Sequence, residues 1–353
     1  MTFSLRVLIV FGGLGRGQSS GAERMAWRTT AQLALRGADV VVLTDATRPP
    51  GRTWPACSSP EELAVSRPGW RPDVVHVYDL AHPVHAVLGR DLARRFGARL
   101  ALTPASAPAT WPDRRLGARV CGEAAVVYAL TAAEEVSIRP LCRAGVTMVR
   151  LPQAPDLVGR PDPVGFRAAY DLSGTIVLFL GRKLASKGYS SLLAAAPLIW
   201  RAHPCTTFVF CGPDAEGSAT RSIRAVGDRR VRDLGMVDDR TKHDALAACT
   251  VLALPTSTDV FPLVFAEAWA CGKPVLSGRF DGVEDVVRDG VDGVVVQPRP
   301  PAVAEALIRL LSDDQGRAAM GAAGMDRVRR EMGWERVAAA VERGYRSGGG
   351  ESV

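Results

Sequence analysis

Asp259 and Glu267 stand eight positions apart in TDVFPLVFAEAWACGKPVLS, the segment from Thr258 to Ser277. Pro255 and Pro262 bracket a polar loop, and Leu263 to Cys271 then reads as a helix ended by Gly272 and Pro274. The start of that helix faces the loop. Its unpaired backbone N–H groups and the positive end of its dipole form an anion site, and both carboxylates can accept hydrogen bonds from ligand hydroxyls. Phosphate and hydroxyl recognition would then meet within one turn. Taken alone, two carboxylates at this spacing are common and usually mark a solvated face.

A second constellation lies upstream, Gly181-Arg182-Lys183-Leu184-Ala185-Ser186-Lys187-Gly188, directly after the apolar run Thr175 to Leu180. That run reads as a buried parallel strand. Ligands of open parallel sheets bind beyond the carboxyl ends of the strands, so Arg182 and Lys187 are expected where a diphosphate would sit. The alternative is a pair of surface cations. Composition weighs against it: the chain has only four lysines, at 183, 187, 242 and 273, beside forty arginines, and still places one at 187. Arginine supplies a planar fork and lysine a compact point charge, and a diphosphate can use both.

The elements that must hold these residues follow an alternating βα rhythm. Leu5 to Phe11 reads as a strand, Ala22 to Arg36 as a helix closed by Gly37, and Val40 to Thr44 as a second strand. Further strands are expected at Val74 to Val77, Leu100 to Thr103, Ala125 to Ala129 and Met148 to Leu151. Pro152 to Asp156 is a proline-rich junction and reads as a linker. Beyond it, strands at Thr175 to Leu180, Thr207 to Cys211, Val251 to Leu254 and Pro274 to Ser277 alternate with helices such as Ser190 to Trp200 and Asp244 to Ala248. Both halves therefore read as α/β with mainly parallel sheets. Near the end, Trp334, Val337, Val341 and Tyr345 are spaced along one face of a helix, and Gly348 to Val353 reads as a frayed tail.

With these residues in place the chain resembles the retaining, metal-independent glycosyltransferases of family four. The resemblance lies in G-R-x-x-x-x-K-G at Gly181 to Gly188, in the acid-x7-Glu element from Asp259 to Glu267, and in Ala270-Cys271-Gly272-Lys273-Pro274-Val275. It continues through Gly282-Val283-Glu284-Asp285-Val286-Val287 and Asp289-Gly290-Val291-Asp292-Gly293, so that it covers most of residues 175 to 297. It implies two facing Rossmann-like domains with mainly parallel sheets (GT-B): residues 1–155 for the acceptor, 156–330 for a nucleotide-sugar donor, and a helix over 331–346 crossing back to the first. Arg182 and Lys187 resemble the pair that holds the donor diphosphate as a leaving group, Glu267 the acid that binds the ribose, and Asp259 the acid that contacts the transferred sugar. Gly181 and the backbone of Phe261, Pro262, Leu263 and Val264 would line the sugar and phosphates, with Leu234 to Met236 beside the base. Catalysis would then rest on Arg182, Lys187 and Asp259, with retention through a front-face, ion-pair-like route. The implied donor is a nucleoside-diphosphate sugar, UDP- or GDP-sugar foremost, with no further cofactor.

Asp259 is one methylene shorter than the glutamate usual in that family, and Val260 and Pro262 replace glycines common in the loop. The expected consequence is a donor sugar other than plain glucose or mannose, or a water filling the gap. On the acceptor side, Ser20 and Gly21 resemble the start of the family's first helix. His76, after a strand, and His82, in the loop that also holds His85, stand where a cleft would open, although a packed or capped imidazole is the commoner role. His203 and His243 read as surface residues. Spacing alone would let His82 and His85 share a metal, but no further ligand set accompanies them, and no metal site is expected.

Composition bounds the rest. At 353 residues with 47% hydrophobic content the chain can bury two cores. No apolar run approaches the roughly 20 residues that span a bilayer, and MTFSLRVLIVFGG reads as a strand and turn in place of a leader, so a cytoplasmic location is expected. The seven cysteines contain no C-x-x-C pair, which signals neither zinc nor a disulfide framework. Residues 1–155 hold 19 arginines and 12 acids, while the remainder carries 25 charges of each sign, so the whole excess of +7 lies in the first half. That suits an anionic acceptor or peripheral contact with an anionic membrane surface, or equally an arginine-rich surface with no partner.

Rival classes fit less well. GGLGRGQSS fails G-x-G-x-x-G/A, because the sixth place is Gln18 counted from Gly13 and Ser20 counted from Gly15, which demotes a dinucleotide-dependent oxidoreductase. Gly12 to Gly17 then reads as a flexible loop. A nucleotide-sugar epimerase of similar fold stays open, and a nucleic-acid module is disfavoured because the basic residues lack interleaved aromatics. The acceptor is expected to be a small polar molecule of a bacterial biosynthetic pathway, with a lipid-linked or cell-envelope acceptor as the alternative.

Overall fold

The computed structural model describes residues 4–13, 20–46 and 54–347. The chain divides into two compact units, Met1–Gln153 together with Gly333–Val353, and Ala154–Met332. In the first unit seven parallel strands lie in the order β3-β2-β1-β4-β5-β6-β7: β1 Arg6–Val10, β2 Asp39–Leu43, β3 Ala56–Cys57, β4 Val74–Tyr78, β5 Arg99–Thr103, β6 Val126–Ala129 and β7 Thr147–Arg150. Helices α1 Gly21–Leu35, α2 Pro60–Ser66, α3 Pro83–Phe96, α4 Arg114–Glu123 and α5 Ala132–Ile138 make the crossovers. The central strands β1, β2, β4 and β5 are rich in Val, Leu and Ile and largely buried on both faces, as parallel sheets covered by helices require, whereas the edge strand β7 is only half-buried.

In the second unit six parallel strands lie in the order β10-β9-β8-β11-β12-β13: β8 Thr175–Leu180, β9 Thr206–Cys211, β10 Val231–Gly235, β11 Val251–Leu254, β12 Val275–Gly278 and β13 Gly293–Val296. Its helices are α6 Pro163–Ala169, α7 Tyr189–Ala202, α8 Ala219–Arg224, α9 Asp239–Ala248, α10 Leu263–Ala270, α11 Val283–Val286, α12 Pro300–Ser312 and α13 Asp314–Glu331. The last helix, α14 Trp334–Arg346, packs within the first unit. There Tyr128 donates to the Val341 carbonyl at 2.5 Å and Arg36 pairs with Glu342 at 2.8 Å. Gly344 is required at that contact, because a Cβ there would stand 2.4 Å from the Tyr128 hydroxyl oxygen.

The α/β reading with parallel sheets agrees with this architecture, and the differences have local causes. Sequence periodicity marks no strand at β10 or β13, since V-R-D-L-G carries two charges and the second follows a glycine-rich turn. Helix α9 starts five residues before the expected Asp244, because the Asp238 carboxylate caps it by accepting from the Thr241 N–H at 2.7 Å. His85 lies in the first turn of α3 and not in a loop, since Pro83 opens that helix. Of the glycine-rich loop only Gly12 and Gly13 are among the described residues; Gly15, Gly17, Gln18 and the tail Gly348–Val353 lie outside them.

Candidate donor site

In the second unit the order of strands reverses between β8 and β11: β8, β9 and β10 run one way across the sheet, and β11, β12 and β13 the other. Such a switch point opens a crevice at the carboxyl ends of the two central strands. The loop after β8 carries Arg182 and Lys187, and the loop after β11 carries Asp259. Residues 72 positions apart in sequence are thereby joined: the Lys187 ammonium donates to Asp259 Oδ2 at 2.5 Å and to the Thr258 carbonyl at 3.3 Å. Asp259 Oδ1 accepts from the N–H of Val260 at 3.0 Å. Both oxygens of this short carboxylate are thus engaged, an arrangement that spacing alone did not reveal.

Glycines allow the two loops to approach. Gly188 has φ +80°, and a Cβ on it would lie 2.1 Å from the Pro255 carbonyl oxygen. Gly181 donates its N–H to the Cys211 carbonyl at 3.0 Å, which ties the start of the cationic loop to the end of β9. Arg182 is exposed and makes no ion pair among the described residues. Its guanidinium is therefore available to an anion from outside.

Helix α10 begins at Leu263 behind Pro262, with no side-chain cap. The first N–H groups, those of Leu263 and Val264, have no carbonyl one turn earlier to bond, and they point to the loop that carries Asp259. One turn further on, Glu267 is 2% exposed. Its Oε1 accepts from the Lys242 ammonium at 2.7 Å, whereas Oε2 is buried without a partner. A buried unsatisfied carboxylate oxygen is costly, and a ligand hydroxyl would satisfy it. Lys242, which sequence reading left without a role, also donates to the Asp156 carbonyl at 2.7 Å. Its rarity was the only signal, and nothing in the spacing paired it with Glu267. Phe261 is half-buried, Leu234 lies at the end of β10, and Met236 is 48% exposed just beyond.

The residues expected on the acceptor side lie in the first unit, whose own switch point falls between β1 and β4. Ser20 caps α1 by accepting from the Glu23 N–H at 3.0 Å, and Gly21 opens the helix with an exposed backbone. The His82 and His85 rings lie over the end of β1, since a Cβ on Gly12 would be 2.8 Å from a ring atom of each. His85 approaches Asp45 to 3.4 Å and His82 approaches Asp79 to 3.8 Å. His76 requires a correction. It lies within β4, wholly buried, with Nδ1 2.7 Å from the Tyr345 hydroxyl and Nε2 2.8 Å from that of Thr103. Burial pushes its pKa down to about 3, so the imidazole is neutral and both nitrogens are used internally. Through Tyr345 it helps dock α14. His243 is likewise buried, with Nδ1 2.9 Å from the Val158 carbonyl, and His203 lies 3.0 Å from the Ser312 hydroxyl, so neither is a free surface residue.

Residues 174–313, which contain every element of the donor site, match the family described as Glycosyl transferases group 1. This segment is similar to the domains of group 1 glycosyltransferases. Relatives include a D-inositol 3-phosphate glycosyltransferase of Frankia alni, 32% identical over 200 residues, covering 53% of this chain and 49% of that protein. A phosphatidyl-myo-inositol mannosyltransferase of Mycobacterium leprae is 34% identical over 204 residues, covering 57% of this chain and 51% of the relative. The chain thus spans about half the length of the curated relatives it matches. Across the whole chain the fold matches Anabaena HepE solved with UDP-glucose, at TM-score 0.79 and 18% identity over 96% of this chain and 98% of that one. Sucrose-phosphate synthase from Thermosynechococcus elongatus gives 0.78 and 21% over 98% of each. The fold is that of the GT-B glycosyltransferases, as the sequence motifs imply.

Among the described residues no group of three or more His, Cys, Asp or Glu is arranged to hold a metal ion, and the seven cysteines are free thiols. No helix among them is long and apolar enough to cross a membrane.

Proposed function

We propose that the chain is a retaining glycosyltransferase that moves a sugar from a nucleoside-diphosphate donor to a small, hydroxyl-rich acceptor, without a metal ion. The observation that carries this reading is the Lys187–Asp259 contact, which joins the loop holding Arg182 to the loop that leads into the open start of α10, at the switch point of a segment that matches group 1 glycosyltransferases. Two cations and two free N–H groups provide the positive field that a departing diphosphate needs. The unpartnered Oε2 of Glu267 suits a ribose hydroxyl. The diphosphate would share Lys187 with Asp259, which keeps the ammonium in place while the sugar lies against the loop that follows β11.

In the proposed reaction the acceptor oxygen bonds to the anomeric carbon on the face from which the diphosphate departs, and a diphosphate oxygen takes the acceptor proton. The protein contributes orientation and charge stabilisation. UDP and GDP are the donor bases considered first, UDP because structural neighbours were solved with it. The positive excess of the first half and the names of the relatives favour a phosphorylated polyol such as a cyclitol phosphate as acceptor. A headgroup at a membrane surface is a second reading, which the relatives acting on phosphatidylinositol favour; vesicles of anionic lipid would then retain the protein. A cytoplasmic location belongs to this proposal.

A thermal-shift series of wild type and Lys187→Ala with UDP, GDP, dTDP and NADH tests the donor class, since a ligand bound only by the folded state raises its stability. The expected result is stabilisation by one nucleoside diphosphate that the variant loses. Stabilisation by NADH alone would return a dinucleotide enzyme to the front.

A further inference from the structure

Lys183 follows Arg182 directly, yet its side chain turns inward and is wholly buried. Its ammonium donates to Asp233 Oδ1 at 2.5 Å, with the Thr220 hydroxyl the next polar atom at 3.5 Å. The Lys183 N–H donates to the Pro213 carbonyl at 2.8 Å, so backbone and side chain are both fixed. Asp233 is nearly as buried, with its side chain 4% exposed, and the same Oδ1 accepts from the N–H of Gly235 at 3.0 Å. That second bond holds the turn in which Gly235 adopts φ +64° and from which Leu234 and Met236 project. The pair crosses under the carboxyl end of β9, because the order is β10-β9-β8.

We propose that Lys183 and Asp233 are a positioning pair that sets the span between the diphosphate cations and the base-side edge of the donor site. The inference rests on the reading of this site as one for a nucleoside diphosphate. Arg182 is bonded covalently to one member and Leu234 to the other, so the ion pair is a strut between the two subsites. A buried charge without its partner is strongly unfavourable, and the two loop ends therefore cannot drift apart independently. Apolar side chains of similar size would hold the fold as well, but without the directional constraint of one ammonium on one carboxylate oxygen. A ligand that spans both subsites gains from both only when their separation matches its own length. A fragment that touches one subsite is indifferent to that separation.

The discriminating experiment measures the affinities of UDP, GDP and inorganic pyrophosphate by calorimetry for wild type and for the double variant Lys183→Met/Asp233→Leu, which leaves no lone buried charge. The expected result is wild-type affinity for pyrophosphate and a loss of roughly tenfold or more for the preferred nucleoside diphosphate. Unchanged affinity for both ligands, or a parallel loss of both, overturns the strut. A wild type that binds pyrophosphate but neither nucleotide instead sinks the underlying donor-site reading, and the proposal with it. Should the apolar pair fail to fold, Lys183→Gln/Asp233→Asn, which also removes both charges, carries the same comparison.

Discussion

Lys187 and Asp259 hold each other at 2.5 Å with side chains 19% and 14% exposed, so each controls what the other offers a ligand. Replacing Lys187 by alanine removes a cation from the proposed leaving group. Turnover is expected to fall on the order of a hundredfold or more, with a stability change of about 1 kcal/mol, measured by steady-state kinetics and denaturant titration. Undiminished transfer by that variant would sink the assignment. Lengthening the acid by Asp259→Glu changes both its reach to Lys187 and its place beside the sugar. A severalfold shift in donor preference or rate is expected, and identical kinetics would remove the argument from its length. His76 offers a test of burial chemistry. Its folded pKa of about 3 lies below the ordinary value of 6.5, so the folded state resists protonation that the unfolded chain accepts. The associated stability is present above pH 6.5 and is lost as pH falls toward 3, by up to about 5 kcal/mol at 1.36 kcal/mol per unit. Urea midpoints of His76→Gln should vary less over that window than those of wild type; an equal dependence would show that other groups carry the acid response.

At the scale of elements, the proposed donor site depends on how closely the start of α7 can approach the end of β11. Gly188 allows that approach twice over, through its left-handed φ and through the missing Cβ against the Pro255 carbonyl. Gly188→Ala should therefore cost about 2–3 kcal/mol in chemical denaturation and displace Lys187, with weakened nucleotide binding as a second readout. Neutral behaviour of this variant would mean that the loop relaxes without consequence. Helix α10 contributes differently. Its first turn presents N–H groups to the loop, while Phe265 and Trp269 are buried in the core and fix its axis. The Trp269 indole N–H donates to the Asp292 carbonyl at 2.7 Å, which anchors the same helix from below.

For the whole molecule, the two units have sheets of the same parallel kind, each with one reversal of strand order, and the cationic excess lies entirely before residue 156. The second unit carries the matched glycosyltransferase domain and balances its charges. If the first half meets an anionic acceptor, its Michaelis constant should rise with ionic strength while that for the donor changes less, because exposed charges are screened beyond about 8 Å at physiological salt. Salt-insensitive kinetics for both substrates would remove the electrostatic reading of that half.

The sequence by itself determined the βα rhythm, the two α/β halves and the donor motifs. Those features are local: apolar runs of strand length, glycine and proline punctuation, and fixed spacings within Gly181–Gly188 and Asp259–Glu267. The tertiary structure decided which side chains meet. Lys187 with Asp259, Lys183 with Asp233, and Lys242 with Glu267 are separated by 72, 50 and 25 positions, and no periodicity links them. Strand β10 escaped sequence reading for the same reason: its buried Asp233 becomes tolerable only because Lys183 arrives from the loop after β8. His76 shows the converse, since a histidine after an apolar run resembles a site residue until Thr103 and Tyr345 close over it. Local propensity specifies elements along the chain, but the desolvation of a charge or an imidazole is settled only when distant segments pack and provide its partner.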